Sequence, residues 1–297
     1  RWQVGANVIS HHFTPALHKE IVPYNQFDFN GDRLSAVSLD YAGSWKNVHL
    51  FGEAAVSNNG KPAVVQGLLT SVAPSTDIAL VYRHYDMAYQ SLYAKGFGDN
   101  YRTINENGLY MGATVKANAR FKLDAYADVF RFPWLKYRSS APSGGKDFLL
   151  QGSYTPDKNT AMLLRYSYRQ GSENTLLPGT PVKVLTPVTS MHIRFQWNRQ
   201  INKGLSLKTR AECSRYEAGA VTGLGWMIYQ DAGYHFPQMP FVVNGRLACF
   251  RTSSYDTRIY ATESSVLYEN AVSKLYGRGW QYYLNLKWKV NRRLACW

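Results

Sequence analysis

The stretch Phe121–Phe132, FKLDAYADVFRF, alternates residue by residue between two kinds of side chain. Phe121, Leu123, Ala125, Ala127 and Val129 fall in one phase, and Lys122, Asp124, Tyr126, Asp128 and Phe130 in the other. Successive side chains of a strand leave opposite faces, so a period of two describes a strand with one apolar and one polar face. Helical spacing does not fit this stretch. Working outward, the same period returns where Met191, Ile193, Phe195 and Trp197 interleave with His192, Arg194, Gln196 and Asn198. It returns again where Trp280, Tyr282, Leu284, Leu286, Trp288 and Val290 interleave with Gln281, Tyr283, Asn285, Lys287 and Lys289. Residues 148–154, 162–169, 205–214 and 241–251 carry it less cleanly.

A soluble sandwich also alternates, and two features separate this chain from one. Its strands run to roughly ten or more residues, long for a sandwich and suited to a tilted membrane strand. Aromatic residues gather at strand ends, where an interfacial girdle sits: Phe130, Phe132, Trp134, Trp197, Trp280, Tyr282 and Trp288. The 297 residues include 22 Tyr, 8 Trp and 13 Phe with only 18% charged residues, a balance that favours pleated surfaces. Mean hydropathy is −0.34, and no run approaches the length of a membrane-spanning helix. A chain without such helices crosses lipid only as a closed sheet, because lipid leaves unpaired backbone groups without partners.

Connections alternate in length. Tight turns are predicted at 43–45, 73–75, 117–118, 156–159, 202–204, 235–240 and 290–292. Between them lie mostly long loops at 10–33, 57–61, 90–106, 133–145 and 171–186, the rhythm of periplasmic turns and extracellular loops. The expectation is an all-β, transmembrane, antiparallel up-and-down β-barrel of about 14–16 strands spanning residues 1–297 as one domain. Residues 252–278 read either as a strand, at 258–263 and 266–269, or as a folded excursion of one outer loop. Residues 294–297 begin a strand with nothing after it, so the natural chain is expected to continue. The opening RWQVGANVIS lacks the apolar core of a signal peptide, so the expectation is that either a signal was removed or the N-terminal part of a longer protein is absent here.

The net charge is +14, and much of the excess lies on the polar phase: Lys122, Arg165, Arg169, Arg194, Lys208, Arg210, Arg246, Lys287 and Lys289. In a barrel that phase faces the lumen, since a charge facing lipid costs a few kcal/mol. Two readings stay open. A basic lumen attracts anions or a polyanion strand, or the cations pair internally with Asp124, Asp128 and Glu212 in a plugged barrel.

No catalytic, metal or cofactor motif emerges. His11, His12, His18 and Glu20 lack the i, i+4 pairing of helical zinc motifs, and GFGDN at 96–100 lacks the strand and helix of a phosphate loop. Cys213, Cys249 and Cys296 are odd in number and widely spaced, which fits small apolar strand residues. His84 and His192 lie on strands, and a rim hydrolase built on His192 is the weakest functional reading. Basic and aromatic residues occupy opposite phases, so they do not make one stacking groove for nucleic acid.

Four stretches resemble one family: FGEAAVSNNGKPAVVQGLLTSVAP at 51–74, YRHYDMAYQSLYAKGFGDN at 82–100, NENGLYMGA at 105–113 and DVFRFPWLKYR at 128–138. They are similar to the C-terminal barrel of the large helix-hairpin-helix, competence-type outer-membrane proteins of Bacteroidota, over residues 34–297. The resemblance implies an outer-membrane location and a hint of DNA handling. That hint attaches to a helix-hairpin-helix region absent from these residues, and no catalytic residues carry over. The expected partners are outer-membrane lipid and lipopolysaccharide, other envelope proteins and, on the uptake reading, nucleic acid. The expected role is a subunit of an envelope assembly or a channel, with anion-selective conduction and nucleic-acid uptake as alternatives.

Overall fold

A computed structural model describes residues 2–176, 179, 181–264, 272–290 and 295–296. The chain is all-β and antiparallel, with strands following one another up and down. Its main sheet has 15 strands in the order of the chain, apart from one excursion set aside as a separate 2-stranded sheet. The first strands are β1 (Trp2–Leu17), β2 (Gly31–Trp45), β3 (Val48–Ser57), β4 (Pro62–Ala73), β5 (Thr76–Tyr85) and β6 (Glu106–Lys116). Next come β7 (Phe121–Phe132), β8 (Ser143–Asp157), β9 (Thr160–Thr175) and β10 (Val184–Gln200). The last are β11 (Leu205–Ala218), β12 (Val221–His235), β13 (Phe241–Thr252), β14 (Ile259–Thr262), β15 (Val272–Leu275), β16 (Arg278–Lys289) and β17 (Ala295–Cys296). Two compact units divide these residues: Arg1–Lys116, Asp124–Phe148 and Arg169–Val188 form one, and Ala117–Leu123, Leu149–Tyr168 and Thr189–Trp297 the other.

In the first unit, register puts like with like. Ala6 faces Leu39 and Val8 faces Val37, which in turn faces Val56. Val4, Val8 and Leu39 are exposed on this apolar face. The other phase is polar, and the Asn7 amide donates to Asp40 Oδ1 at 3.0 Å. Large rings lie over glycines across the ladder, as Phe51 does over its partner Gly67 and Trp2 over its partner Gly43. A strand glycine leaves an unfilled hollow, and the neighbouring ring fills it.

The second unit repeats the plan. Phe241 faces Trp288, Val243 faces Leu286 and Leu247 faces Tyr282. On the opposite phase Arg246 faces Tyr283 and Asn244 faces Asn285.

Element ends differ from the sequence expectation in a regular way. The strand β1 continues through His11, His12 and Leu17, so the first loop begins at 18 rather than 10. The ladder from Trp2 to His12 keeps its β2 register, and that pairing overrides the loop-like histidines, while the register shifts between His12 and Leu17. The turn placed at 43–45 falls at Lys46–Asn47, with Lys46 at φ 53.

The 252–278 ambiguity resolves as an excursion. Among the described residues, strands β14 and β15 pair only with each other, Ile259 facing Leu275. They pack through Ile259, Ala261 and Leu275 onto Met227, Tyr229 and Ala248 of the polar phase of β12 and β13. The segment 266–269, residues 291–292 of the predicted last turn, and Leu294 and Trp297 lie outside the described residues.

Gly67→Ala places a Cβ inside the Phe51 ring, and overpacking of this kind costs about 1–3 kcal/mol. Gly171→Ala, where a Cβ meets nothing within 4 Å, serves as the neutral comparison. Urea unfolding followed by tryptophan fluorescence reads both; equal midpoints for the two variants would refute the ring-over-glycine packing.

Candidate functional site

The polar phase becomes a set of paired charges. In the first unit Arg83 is fully buried, and a buried guanidinium is tolerated only when its donors are matched by charge and hydrogen bonds. Its Nε donates to Glu106 Oε1 at 2.6 Å, while Nη1 and Nη2 donate to the two Asp128 oxygens at 2.8 and 3.0 Å. The cross-strand partner of Arg83 is Gly108, where a side chain would strike the guanidinium. Glu106, equally buried, also accepts the backbone N–H groups of Asp99 and Asn100 at 2.8 and 2.7 Å. The charge cluster therefore pins the loop at 86–105 to the strands. Arg169 belongs to the same unit and reaches Asp99 and Asp147.

The long loops of this unit lock to one another. Arg102 and Lys19 both donate to Asp28, at 2.6 and 2.9 Å. Trp134 Nε1 donates to the Pro23 carbonyl at 3.0 Å, and Asn105 and Trp134 exchange side-chain and backbone hydrogen bonds at 2.9 and 2.7 Å. Burial raises the Asp28 carboxyl, but Arg102 and Lys19 outweigh it and hold the group below its ordinary value. Burial, with the nearby charge of Arg169, lowers the Lys136 ammonium against the opposing pull of Asp99, Glu173 and Glu106.

In the second unit Glu212 is the hub. It accepts Arg194 Nε at 2.6 Å and Arg210 Nε at 3.0 Å, with His192 Nδ1 at 3.4 Å. Arg210 also donates to the Tyr260 carbonyl at 3.0 Å, and the Ser214 hydroxyl to the Thr257 carbonyl at 2.7 Å. These two bonds tie the excursion to β11. Arg246 grips Asp231 at 2.5 and 2.8 Å, with its guanidinium carbon 3.8 Å from the Tyr229 ring centroid. Beside this pair a cavity of about 520 Å³ opens, lined by Lys158, Arg199, Lys208, Asn198 and Asn244 among others.

Of the cations expected on this phase, Arg169, Arg194, Arg210 and Arg246 are therefore in ion pairs, and Arg165 donates to Gln151 at 2.8 Å. Lys122 and Lys287 also have partners. Lys208 lies 5.8 Å from the Tyr229 ring centroid and has no carboxylate at ion-pair distance among the described residues, and Lys289 is exposed.

The expected girdle divides. Trp280, Tyr282 and Trp288 are exposed on the apolar phase, and Trp197 is half-buried on it. Phe130 and Phe132 are a correction: they are 5% and 1% exposed and share the phase of Asp128, where Phe130 packs under Arg169. Trp134 is also corrected, since it belongs to the loop cluster with Phe27 rather than to a strand end.

Arg83, Glu106 and Asp231 were not picked out from sequence. Arg83 sits among Val81 and Tyr85 in a phase without polar regularity, and only the Gly108 partner explains how it fits. Among the described residues no three His, Cys, Asp or Glu side chains gather as metal ligands.

No family model and no curated protein matches this chain. Among solved structures it is similar to the outer-membrane channel DcaP of Acinetobacter baumannii, with 9% identity over 95% of this chain and 96% of that one and a TM-score of 0.48. It is also similar to outer-membrane-expressed OmpT of Vibrio cholerae, with 9% identity over 97% and 96% and a TM-score of 0.45. In-vitro-folded OmpT in its trimer form gives 10% identity over 96% and 98% with a TM-score of 0.46.

The Asp28 pairs have a pH signature. The folded carboxyl titrates below the unfolded one, so its contribution is complete above the ordinary Asp value of about 3.9 and is lost as pH falls through the lower folded value. Pepsin is expected to nick the 18–30 loop as pH drops through that window, and Asp28→Asn to open the same loop to trypsin at neutral pH. A loop equally resistant in the variant would refute the pinning.

Proposed function

We propose that this chain is an integral β-barrel of a bacterial outer membrane that serves an envelope assembly as a subunit with a loop-filled interior. One observation carries the membrane placement: along β16, Trp280, Tyr282 and Leu284 are 71%, 81% and 74% exposed in strict alternation with the polar phase. A row of large apolar side chains left open to water is an aggregation hazard, whereas facing lipid it is the anchoring surface. No helix of the described residues is long and apolar enough to cross a membrane, which leaves strands as the crossing elements. Closing the up-and-down array into a barrel removes its edges. Lipid and lipopolysaccharide then contact the apolar phase, with Trp280, Tyr282 and Trp288 as interfacial anchors.

The subunit role rests on the polar phase. Its arginines Arg194, Arg210 and Arg246 are engaged by carboxylates, and the β14–β15 excursion packs on the same phase through a buried apolar cluster. An open anion-selective pore needs uncompensated cations and free cross-section; paired arginines and in-folded chain favour a filled interior. Tyr93, Tyr101 and Tyr137 are exposed loop rings suited to docking other envelope proteins. The channel remains the second reading, favoured by Lys208 beside its polar cavity.

Leu284→Arg is expected to cost about 2–4 kcal/mol of folding stability in phosphatidylcholine bilayers near the midplane, and unchanged stability would remove the membrane placement. The wild-type protein purified from outer membranes in mild detergent is expected to conduct little in planar bilayers and to arrive with stoichiometric protein partners. A lone, conducting, anion-selective sample would overturn the subunit role in favour of the channel.

A further inference from the structure

The 520 Å³ cavity of the second unit stands out because three cations on its wall lie outside any ion pair among the described residues. Asp231, a carboxylate on its wall, already accepts from Arg246 Nε and Nη2 through both its oxygens, at 2.5 and 2.8 Å. Lys158, Arg199 and Lys208 have no carboxylate within ion-pair distance among the described residues. Lys208 stands across the ladder from Asp231 and lies 5.8 Å from the Tyr229 ring centroid. The wall therefore presents cations outside any ion pair, whereas Arg194, Arg210 and Arg246 on the polar phase are each held in one.

Between these charges stand neutral polar groups. Asn198 accepts from Gln196 at 3.3 Å and keeps its own amide donors, while the Asn244 side chain makes no hydrogen bond among the described residues. Gly233 lies between Ser206 and Asn244, and a Cβ there would stand 2.8 Å from both polar atoms. Its missing side chain is what lets the two line one wall. The volume falls within the range of about 300–1,000 Å³ typical of organic-ligand sites and far exceeds the needs of one small ion.

We propose that this cavity is a binding site for a small anionic polyol, a sugar carrying a phosphate group. The phosphate meets Lys208 with Arg199 or Lys158, and the hydroxyls meet the amides of Asn198 and Asn244. Amide side chains offer both a donor and an acceptor, which matches hydroxyls that do the same. Lysine and arginine bind phosphate by charge-assisted hydrogen bonds. This site goes beyond the envelope role and does not depend on whether the interior conducts, so conductance tests that role and titration tests the site.

Isothermal titration of the full, detergent-solubilised chain with glucose 6-phosphate tests it. Saturable binding is expected, with glucose and inorganic phosphate each weaker by about tenfold or more, since each supplies half of the contacts. Lys208→Gln and Arg199→Gln are each expected to weaken glucose 6-phosphate by about tenfold. Lys46→Gln, on a turn of the other unit, leaves it unchanged. No saturable binding by the wild-type chain overturns the site, and that measurement needs no variant to fold. Inorganic phosphate binding as tightly as the sugar phosphate overturns the polyol class. Unchanged affinity in both cavity variants overturns the location.

Discussion

A buried guanidinium must have its charge and its donors matched nearby, and this requirement organises the polar phase of both units. Arg83 meets it with Glu106 and Asp128, and Glu106 in turn orders the backbone of Asp99 and Asn100. Glu212 meets it for Arg194 and Arg210, and Arg210 carries the order onward to Tyr260. In each unit the same salt link that neutralises a strand also fixes an irregular segment against it. Removing one partner strands the other as an uncompensated charge, so these pairs are more costly to break than their net stabilisation suggests.

The apolar phase imposes the complementary requirement. Its side chains gain nothing from water, and the proposed lipid contact gives them an apolar surrounding. The paired charges and the exposed apolar rows are thus two outcomes of one alternation. A register slip by a single residue would exchange them, placing Arg246 where Leu247 stands. Ring-over-glycine packing at Gly43 and Gly67 helps to hold the register.

Period-two alternation made the strands legible wherever the phases differ chemically, as in Phe121–Phe132 and along β16. It failed where composition and pairing conflict. The loop-like residues His11 and His12 extend β1 because their β2 partners Leu34 and Arg33 are in register, and the strand runs on to Leu17 across a register shift. Phe130 and Phe132 looked like girdle residues because they are aromatic near a strand end, yet parity already placed them with Asp128. Phase outweighed residue type there. The charge clusters were half legible: the cations could be named from sequence, but Arg83 and its carboxylates meet through residues separated along the chain by loops. Nothing in local spacing brings Asp99 beside Glu106, or Tyr260 beside Arg210.

The excursion between β13 and β16 stands apart from the ladder that flanks it. Arg251 faces Arg278 across its base, so the two long strands pair directly whatever lies between them. The inserted hairpin has its own ladder and apolar contacts. It behaves as a cassette: away from the face that packs on Met227, Tyr229 and Ala248, its surface can diverge while the register of every long strand stays as it is. Variation in a protein of this plan should therefore concentrate there, leaving the framework to inherit its geometry intact.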